Sequence, residues 1–173
     1  MKFELKKSLE ILERTPRVLT ELLAGLSDEW IYSKEGENTW SPFDVVGHLV
    51  HGERTDWITR MKIILEHSTA LPFAPFDRFA QFEESKGKNI VLLLEEFTRL
   101  RQENLRILKN TPLDEDALDA RGIHPAFGEV SLRQLLATWT AHDLAHLVQI
   151  NRVMAKQYKE AVGPWQAYLS VMQ

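Results

Sequence analysis

A chain of 173 residues, 44% of them hydrophobic, is long enough to bury one sizeable core and short for two, so a single domain over residues 1–173 is the expectation. The 21 basic and 25 acidic residues leave a formal charge of −4 and are scattered along the chain, which argues against a nucleic-acid-binding surface. Cysteine is absent, which excludes disulfides, thiolate metal sites and a thiol nucleophile supplied by the protein, so any metal must be held by nitrogen and oxygen.

Apolar residues recur at helical spacing through most of the chain and strand-like alternation is short and rare, which predicts an all-α protein. The N-terminal residues, Phe3-Glu4-Leu5-Lys6-Lys7, never open into the apolar run of a signal peptide, and no stretch approaches ~18 consecutive apolar residues. A soluble, cytoplasmic protein without membrane attachment is expected. The first helical segment covers residues 3–26, with Leu5, Leu9, Leu12, Leu19, Leu22 and Leu23 inward. Thr15 is read as an N-cap before Pro16, so the helix should break and restart there. A second helix opens at Ser41-Pro42-Phe43-Asp44, with a hydroxyl cap, a proline and an acid in the first turn, and is predicted to run to His67.

Residues 68–88 hold Pro72, Pro75 and Gly87 with Phe73, Phe76, Phe79 and Phe82, a connection aromatic enough to pack on the bundle and to cover a substrate. The third helix fits residues 90–109. Residues 113–130 contain Arg121-Gly122-Ile123-His124-Pro125 and Phe127-Gly128, which predict an ordered, irregular connection. The last long helix starts at Ser131 and runs to Glu160, stopped by Gly163-Pro164, with a short helical tail over residues 165–171. Four long helices with two long connections describe a four-helix bundle with crossover connections and short extra helices.

Leu132, Leu135, Trp139, His142, His146, Ile150 and Val153 fall on one face of the last helix. Side chains at i and i+4 stand about 6 Å apart, which lets two imidazoles reach one cation at roughly 2.1 Å each. Each histidine could instead be a core imidazole satisfied by a carbonyl or by Gln149. Two stacked in one apolar stripe repel if protonated and lack partners if neutral, which a shared cation would resolve. On the second helix Asp44, His48, Gly52, Thr55 and Thr59 form a narrow polar-to-small strip that a bundle could turn inward, so His48 is the third candidate. His51 points some 60° away from it, and both could equally be surface histidines. His67 and His124 lie near loops and are left out of the ligand set. Trp139, Gln149, Asp44 and Thr55 are the candidates for the pocket wall or for support of the ligands.

The stretch Trp40-Ser41-Pro42-Phe43-Asp44-Val45-Val46-Gly47-His48-Leu49, the lead-in Gly122-Ile123-His124-Pro125-Ala126-Phe127-Gly128 and the stretch His142-Asp143-Leu144-Ala145-His146-Leu147-Val148-Gln149-Ile150 together resemble the DinB/YfiT-like family. The resemblance covers nearly the whole chain. It implies a four-helix bundle with one histidine from the second helix and a His-x3-His pair from the fourth around one divalent ion, here His48, His142 and His146. It further implies kinship in fold with bacillithiol- and mycothiol-dependent S-transferases, and a homodimer.

Three imidazoles leave open positions on such an ion, the arrangement of catalytic sites. A metal-dependent transferase that activates a low-molecular-weight thiol cosubstrate is the leading expectation, resting on the family. The alternatives are a metal-dependent hydrolase using metal-bound hydroxide, and a non-catalytic, stress-related metal-binding dimerisation module. His142-Asp143-x-x-His146 is similar to the zincin His-Glu-x-x-His pattern and to the His-Asp pair of phosphohydrolases, but Asp143 lies well off the ligand face, as a supporting or surface residue. Zn, Ni, Fe, Mn and Co are all compatible with imidazole ligands.

Overall fold

The hydroxyl and proline signals at positions 41–42 and 131 open helices in the computed structural model, which describes residues 2–173. The order along the chain begins α1 (Leu5–Leu12), α2 (Thr15–Leu23), α3 (Asp28–Tyr32), α4 (Pro42–Thr55), α5 (Trp57–His67) and α6 (Ala80–Glu84). It continues with α7 (Ile90–Asn110), α8 (Glu115–Asp119), β1 (Arg121–His124), β2 (Gly128–Ser131) and α9 (Leu132–Lys156), followed by short 3-10 turns at Gly163–Tyr168 and Ser170–Met172. The four arms of the bundle are α1–α2, α4–α5, α7 and α9, packed against one another along their apolar faces. No described helix is long and apolar enough to cross a membrane.

Ser41 caps α4 reciprocally: its hydroxyl accepts from the Asp44 N–H at 3.2 Å, and the Asp44 carboxylate accepts from the Ser41 N–H at 3.0 Å. Ser131 and Gln134 repeat the device at the start of α9. Thr15, however, is not a cap. It is the first residue of α2, its hydroxyl donates to the Ile11 carbonyl of the preceding helix, and Pro16 sits in the first turn, where its missing N–H has no partner to lose.

The helix predicted to run from Ser41 to His67 is broken at Asp56 (φ −107°, ψ −75°). Just before the break the Thr55 hydroxyl donates back to the His51 carbonyl at 2.8 Å, an i−4 bond of the kind that bends helices. Residues 113–130, expected to be irregular, contain α8 and an antiparallel hairpin in which Arg121 pairs with Ser131 and His124 with Gly128. Four-residue strands are too short to display alternation in sequence. The hairpin lies on α5: a Cβ on Gly122 would come within 2.7 Å of Ile64 Cγ1 and 2.9 Å of Phe73 Cζ. The Phe73 N–H donates to the Ile123 carbonyl at 2.9 Å, which ties the aromatic connection to the same hairpin. The final helix stops at Lys156, four residues short of the predicted Glu160.

The core falls into two apolar halves. One gathers Trp57, Met61, Ile64, Leu108, Leu132, Leu136 and Trp139, and the other Leu19, Leu23, Val45, Leu49, Leu93, Phe97 and Ile150. On α4–α5, α7 and α9 alike, the residues between the two halves are polar: His48 and Glu53, Arg101 and Asn104, His142 and Asp143. A polar belt therefore crosses the middle of the bundle.

Candidate metal centre

Gly47 and the Ser41 cap set the placement of His48. A Cβ on Gly47 would meet Gln81 Oε1 and Ser85 Oγ at 2.7 Å, so the glycine lets α6 lie close against α4 one residue before the histidine. His48 then points inward and is 7% exposed. Its Nε2 lies 3.2 Å from His142 Nε2, which in turn lies 3.0 Å from His146 Nε2. Each of the three residues offers a ring nitrogen within 4.8 Å of the others. Tetrahedral ligands at ~2.1 Å stand about 3.4 Å apart, so a small inward or outward adjustment would seat an ion.

Electrostatics favour the form that can ligate. Burial, followed by the charges of the neighbouring histidines, pushes His48 down to about 3 and His142 down to about 2. Burial also lowers His146, against the opposing hydrogen bond to Gln149 and the nearby Asp143 carboxylate. All three rings are therefore neutral near pH 7. Three neutral nitrogens facing one point cannot all be satisfied by hydrogen bonds to each other, because each close pair needs one donor and one acceptor. His146 Nδ1 donates to Gln149 Oε1 at 2.8 Å, which leaves its Nε2 lone pair directed at the cluster. The Nδ1 atoms of His48 and His142 have no protein partner. The donor set fits a divalent ion.

The remaining sequence candidates divide. Gln149 supports His146. Asp44 is occupied by the helix cap and by Lys34 at 3.4 Å, and Thr55, at the last position of α4, is exposed rather than facing inward. Trp139 is fully buried and lines neither of the cavities beside the histidines. It stacks on Trp57 at 5.6 Å, and its indole N–H donates to Glu53. Trp57 in turn places its ring edge against His142 at 5.1 Å. His51 is buried rather than at the surface and pairs through Nδ1 with Glu84 of α6 at 2.9 Å.

Asp143, read as a supporting or surface residue, has no exposure at all and accepts two hydrogen bonds from Arg101, at 2.6 and 2.9 Å. Arg101 also donates to Glu53 at 2.8 Å and to the Leu12 carbonyl at 2.9 Å, and Asn104 closes the other side of Glu53. Burial alone would lower the guanidinium pKa, but the two carboxylates outweigh it and hold Arg101 charged. The group ties α4, α7 and α9 together beside the histidines. It was missed in the sequence because its members are separated by 42 and 48 residues.

Two cavities meet at the histidines. One, of about 280 Å³, is lined by Trp57, Phe73, Phe76, Phe127 and Leu135 with His48 and His142, and includes His124 and the Asp56–Arg60 ion pair. Burial raises the Asp56 carboxyl against the pull of Arg60. The other, of about 360 Å³, is lined by Glu35, Trp40, Arg78, Gln149 and Arg152 with His48 and His146. A larger cavity, about 540 Å³ between α2 and α7, includes none of the three histidines.

This arrangement coincides with a family match. The sequence profile of the DinB superfamily matches residues 11–150. The chain belongs to the DinB superfamily. Among solved structures, this DinB-superfamily chain is similar to YfiT from Bacillus subtilis, described as a probable metal-dependent hydrolase with an unusual four-helix bundle topology. That match has 21% identity and a TM-score of 0.69 over 86% of each chain. It is also similar to TT2238, a four-helix bundle protein, at 20% identity and a TM-score of 0.56 over 86% of this chain and 98% of that one. At these identities both likenesses speak for the shared bundle fold. No curated protein sequence matches the chain.

Proposed function

We propose that the protein is a metal-dependent enzyme whose ion is held by His48, His142 and His146 and which joins a low-molecular-weight thiol to an electrophile. The observation that supports this reading is that the histidine cluster lies between two cavities of unlike lining: His48 lines both, His142 the aromatic one and His146 the polar one. One reactant in each cavity, meeting at the ion, is the geometry of a two-substrate transfer. When bound, a divalent ion would supply the positive charge that lets a thiol ionise near neutral pH.

The chain's own residues supply the rest. The neutral imidazoles offer lone pairs and add no repelling charge, and Gln149 fixes the tautomer of His146. Trp57, Phe76 and Trp40 press on the ring faces and edges of the ligands and keep water from their flanks. The aromatic lining of the smaller cavity suits an apolar electrophile. With no cysteine in the chain, the thiol must arrive as a cosubstrate.

The test is conjugate formation by metal-loaded protein with glutathione, bacillithiol or mycothiol and a chloroaromatic or epoxide acceptor. Metal-dependent turnover that disappears in His142→Ala is the expected result. Absence of turnover with every pair overturns the transfer reading.

A second reading, hydrolysis with water in place of the thiol, is favoured by the description of YfiT as a probable metal-dependent hydrolase and by Asp56, a buried carboxyl in the wall of the aromatic cavity. It predicts metal-dependent cleavage of small esters or amides without added thiol, slowed by Asp56→Asn.

A further inference from the structure

The larger of the two cavities at the histidines is rich in unused donors. Arg78 has no carboxylate within ion-pair distance among the described residues. Its guanidinium lies over the rings of Trp40 at 5.4 Å and Phe79 at 5.5 Å, so it is held by aromatic faces and its five N–H groups remain free. Trp40 itself rests against the His48 ring at 4.9 Å, which places this cation close to the metal centre. Gln149 uses its oxygen on His146, which leaves the amide N–H groups without a protein acceptor. The one carboxylate in the lining, Glu35, is clamped by Arg152 at 2.5–3.1 Å and by Lys156 at 3.3 Å, and these partners lower its pKa. The wall therefore carries surplus positive charge and surplus donors, while in the aromatic cavity the one arginine, Arg60, is already paired with the carboxylate of Asp56.

We infer that this polar cavity binds the anionic end of the cosubstrate, so that the thiol used by the enzyme is one bearing a carboxylate, received by Arg78 with Gln149 beside it. The assignment rests on the metal and transfer reading given above for the direction in which the sulfur points. The anion site itself stands on residues that are not metal ligands. Arginine meets a carboxylate through paired, charge-assisted hydrogen bonds, which neither glutamine nor an uncharged ligand can reproduce.

The experiment uses the full chain, stripped of metal and reloaded with Co(II), and follows the near-ultraviolet thiolate band as glutathione or glutathione diethyl ester is added. Glutathione is expected to bind wild type about tenfold more tightly than Arg78→Gln, with Arg78→Lys in between. The diethyl ester should not distinguish wild type from Arg78→Gln, and the visible Co(II) spectrum before thiol addition should be the same in both. A second arm measures S-methylglutathione, whose sulfur is blocked, by calorimetry on the metal-free protein, where the same dependence on Arg78 is expected. Equal affinity for acid and ester, equal affinity of wild type and Arg78→Gln, or no binding of glutathione and S-methylglutathione overturns the anion assignment. Failure of Co(II) to bind in a manner lost in His142→Ala overturns the metal reading instead, and the S-methylglutathione arm still decides this one.

Discussion

Arg101 ends between Glu53 and Asp143 with essentially no exposure on any of the three. Removing the cation leaves two carboxylates buried without compensation, so Arg101→Leu should lower the urea-unfolding free energy by about 3–5 kcal/mol. Combining it with Glu53→Gln and Asp143→Asn should recover most of that loss, which separates buried charge from lost packing. The histidines titrate in the other direction from a salt-bridged base. In the metal-free protein the folded rings of His48 and His142 stay neutral down to about 3 and 2, while unfolded histidines protonate near 6.5. The unfolded chain therefore takes up protons first as pH falls through 6.5, and stability drops by up to about 1.4 kcal/mol per pH unit for each ring. Above 6.5 the rings contribute no slope. Denaturant melts between about pH 7 and 5.5, above the ordinary carboxylate range, should show this slope in wild type and a shallower one in His48→Gln. The convergence of the histidines was legible because i, i+4 spacing within an apolar stripe is a local pattern. Asp143, left open as a supporting or surface residue, is buried, which a helical wheel could not decide because it records the stripe and not a partner on another helix.

Helix starts were legible where a capping hydroxyl leads a long apolar-periodic run, as at Ser41 and Ser131, but not at Asp114, whose carboxylate caps the short α8. The break at Asp56 was not, because nothing at Thr55-Asp56-Trp57 forbids a helix. Just past the break Trp57 stacks on Trp139 of α9, a tertiary contact that local propensity does not record. The hairpin was hidden for a similar reason: its role is to lie on α5 and hold Phe73, and neither contact leaves a periodic trace. Gly122 is the point of closest approach. Gly122→Ala should cost about 1–3 kcal/mol in thermal or urea melts, because Ile64 and the Phe73 ring must both move. The same substitution should weaken binding in the aromatic cavity, where Phe73 forms part of the wall, while leaving Co(II) affinity within a few-fold of wild type.

Across the whole molecule the polar belt separates two apolar halves, and the Arg101 cluster spans the same helices as the histidines. The bundle thus has a fastening of its own beside the candidate metal centre. Chelation should leave a protein that still melts cooperatively, with a midpoint that rises on titrating metal back, as expected for a ligand that binds the folded state only. Collapse of the fold on chelation would instead assign the ion a structural role and favour the non-catalytic, metal-binding module. The bundle class was readable from periodicity throughout, whereas the belt was not, because each helix contributes only one or two polar residues that look unremarkable in isolation. His48 and Phe76 belong to the lining of both cavities, with His142 lining one and His146 the other. If each chamber has its own mouth, neither reactant blocks the arrival or departure of the other. Steady-state rates measured over a grid of both concentrations should then give intersecting reciprocal lines, and product inhibition should mark either molecule as able to come first.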